Sequence, residues 1–217
     1  IVAPELEFYL CEQNLDPDLP LKTPVGKSGR REKGSQAFGV DAVNEFDKIT
    51  DDIYDYCESL GIGVDTLVHE SGPAQIEINL NHGDPLKLAD QAFMFKRAVR
   101  QVALKYGVHA TFMAKPYSSQ PGSSMHIHQN LISTKTRKNL FSDQEGNNTP
   151  LFLHYIGGLQ QYLPDAMLFF APYVNSYRRF VIDASAPINT HWGLENRTVG
   201  FRVPSSKGDS RRVENRI

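Results

Sequence analysis

Ile1-Val2-Ala3-Pro4-Glu5-Leu6-Glu7-Phe8-Tyr9-Leu10 opens the chain, and its reading decides how the rest is understood. Leu6, Phe8 and Leu10 alternate with Glu5, Glu7 and Tyr9, a period of two that predicts a strand with one buried face. Glu5 and Glu7 then lie together on the opposite face. Two carboxylates side by side on a strand belong either to a solvated sheet surface or to a site, and the segments that follow bear on that choice.

The same spacing recurs further along. A strand pair is predicted at Val64–Glu70 and Gln75–Leu80, joined around Ser71-Gly72-Pro73, and it puts Gln75, Glu77 and Asn79 on one face. Ser124–Leu131 alternates Met125 and Ile127 against Ser124, His126, His128 and Asn130, and Val213–Ile217 places Glu214 beside Arg216. Further short strands are expected at Thr111–Met113 and Thr198–Val203. Helical spacing of Val43, Phe46, Ile49, Ile53, Tyr56 and Leu60 predicts one amphipathic helix ended by Gly61 and Gly63. A longer helix runs from Pro85 to Tyr106 with Gly107 behind it, and another covers Leu151–Tyr162, followed by a shorter apolar segment at Ala166–Phe170. Asn14–Ser35, Ser133–Thr149 and Asn175–Trp192 read as loops; the first carries Lys27, Arg30, Arg31 and Lys33.

Each of these strands has an apolar face, and a sheet that buries that side can build a site on the other. If the polar faces converge, Glu5, Glu7, Glu70, Glu77 and Glu214 stand too close to stay ionised without compensating charge. Carboxylates with only one or two imidazoles favour hard divalent ions, Mg²⁺ or Mn²⁺, over zinc. The last forty residues supply Arg178, Arg179, Arg197, Arg202, Arg211, Arg212 and Arg216, whose planar forks suit phosphate and carboxylate oxygens. Metal-binding acids beside arginines imply phosphoryl transfer on an anionic substrate. No P-loop and no Rossmann fingerprint is present, so neither nucleotide site is expected. Taken singly, each motif also fits a solvated sheet face; their coincidence across several strands favours a site.

Composition fits a metabolic protein. The 217 residues suffice for one sizeable core, and a formal net charge of -2 gives no reason to expect a nucleic-acid or membrane partner. Cys11 and Cys57 form no metal or redox motif, which points to a reducing compartment, the cytoplasm. Strand-like sequence at both ends suggests a segment excised from a longer chain.

Specific strings then resemble a known family. Pro4-Glu5-Leu6-Glu7-Phe8, His69-Glu70 through Gln75-Ile76-Glu77, and Ala110-Thr111-Phe112-Met113-Ala114-Lys115-Pro116 followed by Gly122-Ser123-Ser124-Met125-His126-Ile127-His128 resemble successive motifs of glutamine synthetases. So do Asn175-Ser176-Tyr177-Arg178-Arg179, Asn196-Arg197-Thr198 and Arg212-Val213-Glu214-Asn215-Arg216, in the same order. The resemblance implies an α+β fold of the glutamine synthetase/guanido kinase type, with a curved, mainly antiparallel sheet and helices on its outer face. The family has a smaller N-terminal domain and a C-terminal remainder, so the resemblance also implies that residues 1–217 are a catalytic domain without them. It implies Glu7, Glu77 and Glu214 as ligands of a metal near the substrate glutamate, and Glu5, Glu70 and His126 as ligands of a metal on the ATP phosphates. His128 resembles a nucleotide contact; Arg179 and Arg216, with Gly122, resemble glutamate binders; Arg197 and Arg202 resemble phosphate-stabilising residues, Arg202 also touching the nucleotide. Two or three Mg²⁺ or Mn²⁺ ions, ATP, glutamate and a small amine are the implied partners, in a ring-shaped homo-oligomer, a dodecamer in the family.

Departures from the ammonia-using pattern carry their own expectation. Ser185 in Ala184-Ser185-Ala186-Pro187 replaces the glutamate of the ammonium flap, and Pro121-Gly122 and Ser124 replace an Asn-Gly and a glycine. With His191-Trp192-Gly193 these resemble the γ-glutamyl-polyamine (putrescine) synthetase branch, so an organic amine is expected, with Asp183 a candidate for its deprotonation. Ammonia-dependent glutamine synthetase and a catalytically silent structural relative are the alternatives.

Overall fold

The computed structural model describes residues 1–182, 186–206 and 208–217. Its centre is an eight-stranded sheet: β1 (Val2–Glu12), β2 (Val64–His69), β3 (Gln75–Leu80), β4 (Val108–Thr111), β5 (Met125–Gln129), β6 (Trp192–Leu194), β7 (Phe201–Val203) and β8 (Val213–Asn215). The strand order is β2-β3-β1-β5-β8-β7-β6, and β4 also pairs with β1. All pairings are antiparallel except β6 with β7. The long first strand makes this possible. Its N-terminal half pairs with β5, Glu5 facing His126, while its C-terminal half pairs with β4, Tyr9 facing Thr111.

The alternation read at β1 holds. Leu6, Phe8 and Leu10 are fully buried against α2 (Asp47–Ser59) and α3 (Pro85–Lys105), in a core with Ile53, Ile76, Ile78, Phe95 and Val99. A second core joins β7 and β8 to α4 (Pro150–Phe170) through Phe141, Phe152, Ile156, Phe201 and Val213. Asp84 caps α3 by accepting from the Leu86 and Lys87 amides, and Pro85 fills the first turn, where its missing N–H costs nothing. The expected α+β architecture, a mainly antiparallel sheet with helices against one face, is therefore the one observed.

Some boundaries differ from the sequence reading. The helix expected from Val43 to Leu60 is two: α1 (Val40–Asn44) and α2, separated at Phe46, whose φ of -124° lets its ring turn into the core. Side-chain periodicity continues across that break because both pieces pack on the same sheet. In α4 the helix runs through Pro164, where two segments were expected; Leu163 and Met167 on either side pack into the second core and hold the turn that the missing N–H weakens. β4 lies three residues before the predicted Thr111–Met113, and β7 is shorter than Thr198–Val203. The expected loop at 175–192 contains a 3-10 turn (Val174–Arg179), which carries Arg179. Among the described residues, no helix is long and apolar enough to cross a membrane.

Candidate active site

Strand register brings the polar faces together. Glu7 lies opposite Glu77, Glu5 opposite His126, His128 opposite Glu214, and Glu214 opposite Arg202. A row of acids, imidazoles and guanidinium thus crosses five strands on the face away from the first core. It floors a cavity of about 450 Å³, whose walls include Glu70, Lys115, Gly122, Arg179, Arg197 and Arg216. A second cavity of about 400 Å³ is lined by Glu5, His128, Asp65, His82 and Arg212, so Glu5 borders both.

Hydrogen bonds fix most of this floor. Glu5 accepts from His128 Nε2 at 2.6 Å and contacts His126 Nδ1 at 3.1 Å. Arg212 Nε donates to His128 Nδ1 at 3.0 Å, so the proton of that ring sits on Nε2, facing Glu5. Glu7 takes the Ser124 amide at 3.0 Å and the Ser124 hydroxyl at 2.5 Å, and the same hydroxyl lies 2.9 Å from His126 Nε2. Gln75 Nε2 donates to Glu7 and to the Gly122 carbonyl. Glu214 is clamped between Arg202, at 2.8 Å, and Arg216.

The charge balance is uneven. Burial pushes the Glu77 acid up, repulsion from Glu5, Glu7 and Glu70 adds to it, and the group titrates at about 8. Glu70 is raised by burial and by Glu7. Glu5 goes the other way. Burial opposes its charge, but hydrogen bonds from His126 and His128 outweigh it, and the acid lies well below the usual range. Glu214 is also lowered: burial opposes its charge, and Arg216, His126 and His128 more than offset that. Glu214 thus has two arginines and Glu5 two imidazoles as partners, while among the described residues no ion pair reaches Glu77.

Ligand atoms of Glu5, His126 and Glu214 lie within 4.8 Å of one another, and so do those of Glu7, Glu77 and His126. Both groups are oxygen-rich with one imidazole, a donor set suited to Mg²⁺ or Mn²⁺. This grouping differs from the one that the resemblance implies. Glu214 stands with Glu5 and His126, not with Glu7 and Glu77, because β8 pairs with β5 and not with β3. Glu70, just past β2, is on the cavity wall and outside both groups. Arg179, Arg197, Arg202, Arg216 and Gly122 all reach the cavity. Arg211 instead donates to the Gly146 carbonyl, and Arg212 serves His128. Asp183 and Ser185 lie outside the described residues.

Sequence reasoning gave no role to Ser124 or Gln75, although both sit on the predicted site-facing positions. It missed Glu32 altogether. That side chain comes from the loop after β1 and pairs with fully buried His69 at 3.0 Å.

Comparison with known proteins settles the relationship. The family model for the glutamine synthetase catalytic domain matches residues 1–217. The chain belongs to that family. It is 40% identical over 219 residues to the γ-glutamylputrescine synthetase PuuA of Escherichia coli, covering all of this chain and 46% of that protein. It is 35% identical over 215 residues to a glutamine synthetase of Pyrococcus abyssi, covering 99% of this chain and 46% of the relative. A solved structure described as apo GmaS without ligand superposes with a TM-score of 0.81 at 29% identity, over 99% of this chain and 48% of the other. The glutamine synthetase domain described here therefore spans about half the length of the relatives it matches.

Proposed function

We propose that this domain belongs to an ATP-dependent, divalent-metal ligase that joins the γ-carboxylate of glutamate to an organic amine. The observation that carries this reading is the lining itself: five carboxylates and His126 share one cavity with Arg179, Arg197, Arg202 and Arg216. The 40% identity to a γ-glutamylputrescine synthetase, over the entire chain, supports an alkylamine over ammonia as acceptor.

Glu5, His126 and Glu214 would hold one Mg²⁺ or Mn²⁺ ion, and Glu7 and Glu77, with Glu70 on the wall beside them, another. When bound, such ions supply positive charge to the phosphoryl oxygens during transfer. The chain's own residues do the rest. The second cavity, bordered by His128 and Arg212, would take the nucleotide, with its phosphates directed past Glu5 into the main cavity. Arg179 and Arg216 would bind the glutamate carboxylates, and Arg197 and Arg202 would stabilise the charge on the phosphoryl group as it leaves ADP and bonds to a γ-carboxylate oxygen. The amine nitrogen then bonds to the acyl carbon, inorganic phosphate departs with the C–O electron pair, and the amine's proton passes to a base. A cytoplasmic ring-shaped homo-oligomer, a dodecamer, completes the proposal.

The test is phosphate release by the full-length protein with ATP, glutamate and Mg²⁺, comparing putrescine, ethanolamine, a simple monoamine and ammonia. Release driven by an organic amine in preference to ammonia is expected. Preference for ammonia would make this an ordinary glutamine synthetase, and no release with any acceptor would point to a silent relative.

Gly122 offers an independent check on the glutamate assignment. A Cβ there would lie 2.6 Å from the Ala114 carbonyl oxygen and 2.6 Å from Arg179 Cγ, and the Ala114 oxygen is already committed to the Ser123 amide. Both contacts are too short to keep, so the Arg179 side chain must move and the 114–122 backbone must open slightly with it. Gly122→Ala is expected to raise the KM for glutamate about tenfold while leaving the KM for ATP near its original value, since misplacing a binding group by an ångström has effects of that order or more. Steady-state kinetics in both substrates would show it; a parallel rise in both constants would argue against the assignment.

A further inference from the structure

The β2–β3 turn carries Glu70 into the cavity wall, and its geometry depends on a residue far away in sequence. Glu32 extends from the loop between β1 and α1, with its side chain only 6% exposed. One oxygen, Oε2, accepts both the Ala74 amide at 2.6 Å and His69 Nε2 at 3.0 Å. Ala74 has a φ of 55°, a left-handed conformation that costs a non-glycine residue about 1 kcal/mol, and its N–H is the one that Glu32 holds. The other His69 nitrogen, Nδ1, donates to the Glu70 carbonyl at 2.8 Å. Both ring nitrogens face oxygen acceptors, so the imidazole acts as a rigid two-ended spacer between Glu32 and the backbone of Glu70.

The same loop returns to close the arrangement. Phe38 N–H donates to the His69 carbonyl at 2.8 Å, and Phe38 lines the main cavity. The Glu70 N–H is held by the Gln75 carbonyl at 2.8 Å, so with His69 on its C=O the Glu70 peptide groups are fixed from both sides. We propose that Glu32 and His69 are positioning residues, through which the loop after β1 sets the Glu70 carboxylate and the Phe38 wall at the metal and amine side of the site. The inference rests on the proposed metal site and adds to it a relay that runs Glu32, His69, Glu70. It also gives the loop a part in the site: a change in its conformation would reach Glu70 through one buried side chain.

Two histidine variants separate this relay from simple stapling of a loop. His69→Gln keeps an amide nitrogen within reach of Glu32 but loses the donor to the Glu70 carbonyl. His69→Asn keeps a donor near the position of Nδ1 and loses the reach to Glu32. In the full-length protein, Mn²⁺ affinity is measured by titration well below each variant's melting temperature, together with amine-dependent turnover. His69→Gln, His69→Asn and Glu32→Ala each break one link of the relay and are each expected to weaken Mn²⁺ binding about tenfold and to lower kcat, an effect of the size seen when groups behind a ligand are removed. A purely structural role would lower the melting temperature of both histidine variants and leave Mn²⁺ affinity unchanged, which would overturn the inference. If Glu32→Ala does not fold, the histidine pair decides alone. Wild-type protein that binds Mn²⁺ alongside unaffected variants would sink the relay but not the metal site; wild-type protein that binds no Mn²⁺ would sink both.

Discussion

Glu5→Gln is expected to lower phosphate release by about a thousandfold in kcat, with the melting temperature within a few degrees of wild type. The rate loss follows from where Glu5 stands. It lines both cavities, so in the proposed arrangement a phosphoryl group passing from one to the other would meet its carboxylate. It shares one candidate ion group with His126 and Glu214, and withdrawing that ion's charge from the transferred phosphoryl would forfeit about 4 kcal/mol of transition-state stabilisation, a factor of about 10³. The small stability change follows from two opposed effects. The depressed acid of Glu5 contributes folding free energy at neutral pH, present above the usual carboxylate range and lost as pH falls through its folded value. The neutral amide gives that up. It also removes the strongest of the charges that repel Glu77, whose titration should then move down towards ordinary values. Phosphate-release kinetics and a thermal melt on the same preparation test the pair; activity within tenfold of wild type would remove Glu5 from the metal site.

Much of this site was legible because strands write their faces directly into sequence. Glu5, Glu7, Glu77, His126, His128 and Glu214 all occupy alternate positions opposite apolar neighbours, and period-two reading found each of them. Pairing was not legible. Which strand lies beside which is set by the sheet order, and that order, β8 against β5, moved Glu214 into the group with Glu5 and His126. The helix break at Phe46 escaped notice because both pieces keep the same hydrophobic spacing. Glu32 escaped for a different reason. It lies in a Pro, Gly and Lys/Arg-rich stretch with no periodicity, and a buried carboxylate in such a loop is recognised only by its partner, His69, 37 residues away. The string His69-Glu70 drew attention to the glutamate, yet the histidine's two hydrogen bonds are what tie the loop to the site.

Removing divalent ions should make the folded domain less stable as pH rises from about 5 to 9, the reverse of the usual behaviour of a paired carboxylate. Glu77 titrates at about 8 in the fold against 4.5 as the ordinary value, so between those limits the native state holds a proton that the unfolded chain has released. Fewer protons on the unfolded state means that unfolding free energy falls with pH across that window, by several kcal/mol if the whole shift is expressed. Glu70, raised for the same reasons, adds to the trend. Glu5 and Glu214 do not, since their lowered acids act on the acidic limb, below the usual carboxylate range. His69 is raised as well: burial works against its charge, but Glu32 and the Glu70 carbonyl outweigh it, and its contribution also fades as pH rises. A Glu77→Gln control is therefore needed, and it should flatten most of the slope while leaving the part due to Glu70 and His69. Mn²⁺ competes with the proton on Glu77, so the rise in melting temperature on adding Mn²⁺ should be larger at pH 9 than at pH 6. At pH 7, calorimetry in buffers of different ionisation enthalpy should record about one proton released per ion bound. A melting temperature of the EDTA-treated protein that is flat from pH 5 to 9, or a slope that Glu77→Gln does not change, would mean that the acids of this floor are neutralised by the chain itself and that no cation is required to hold them together.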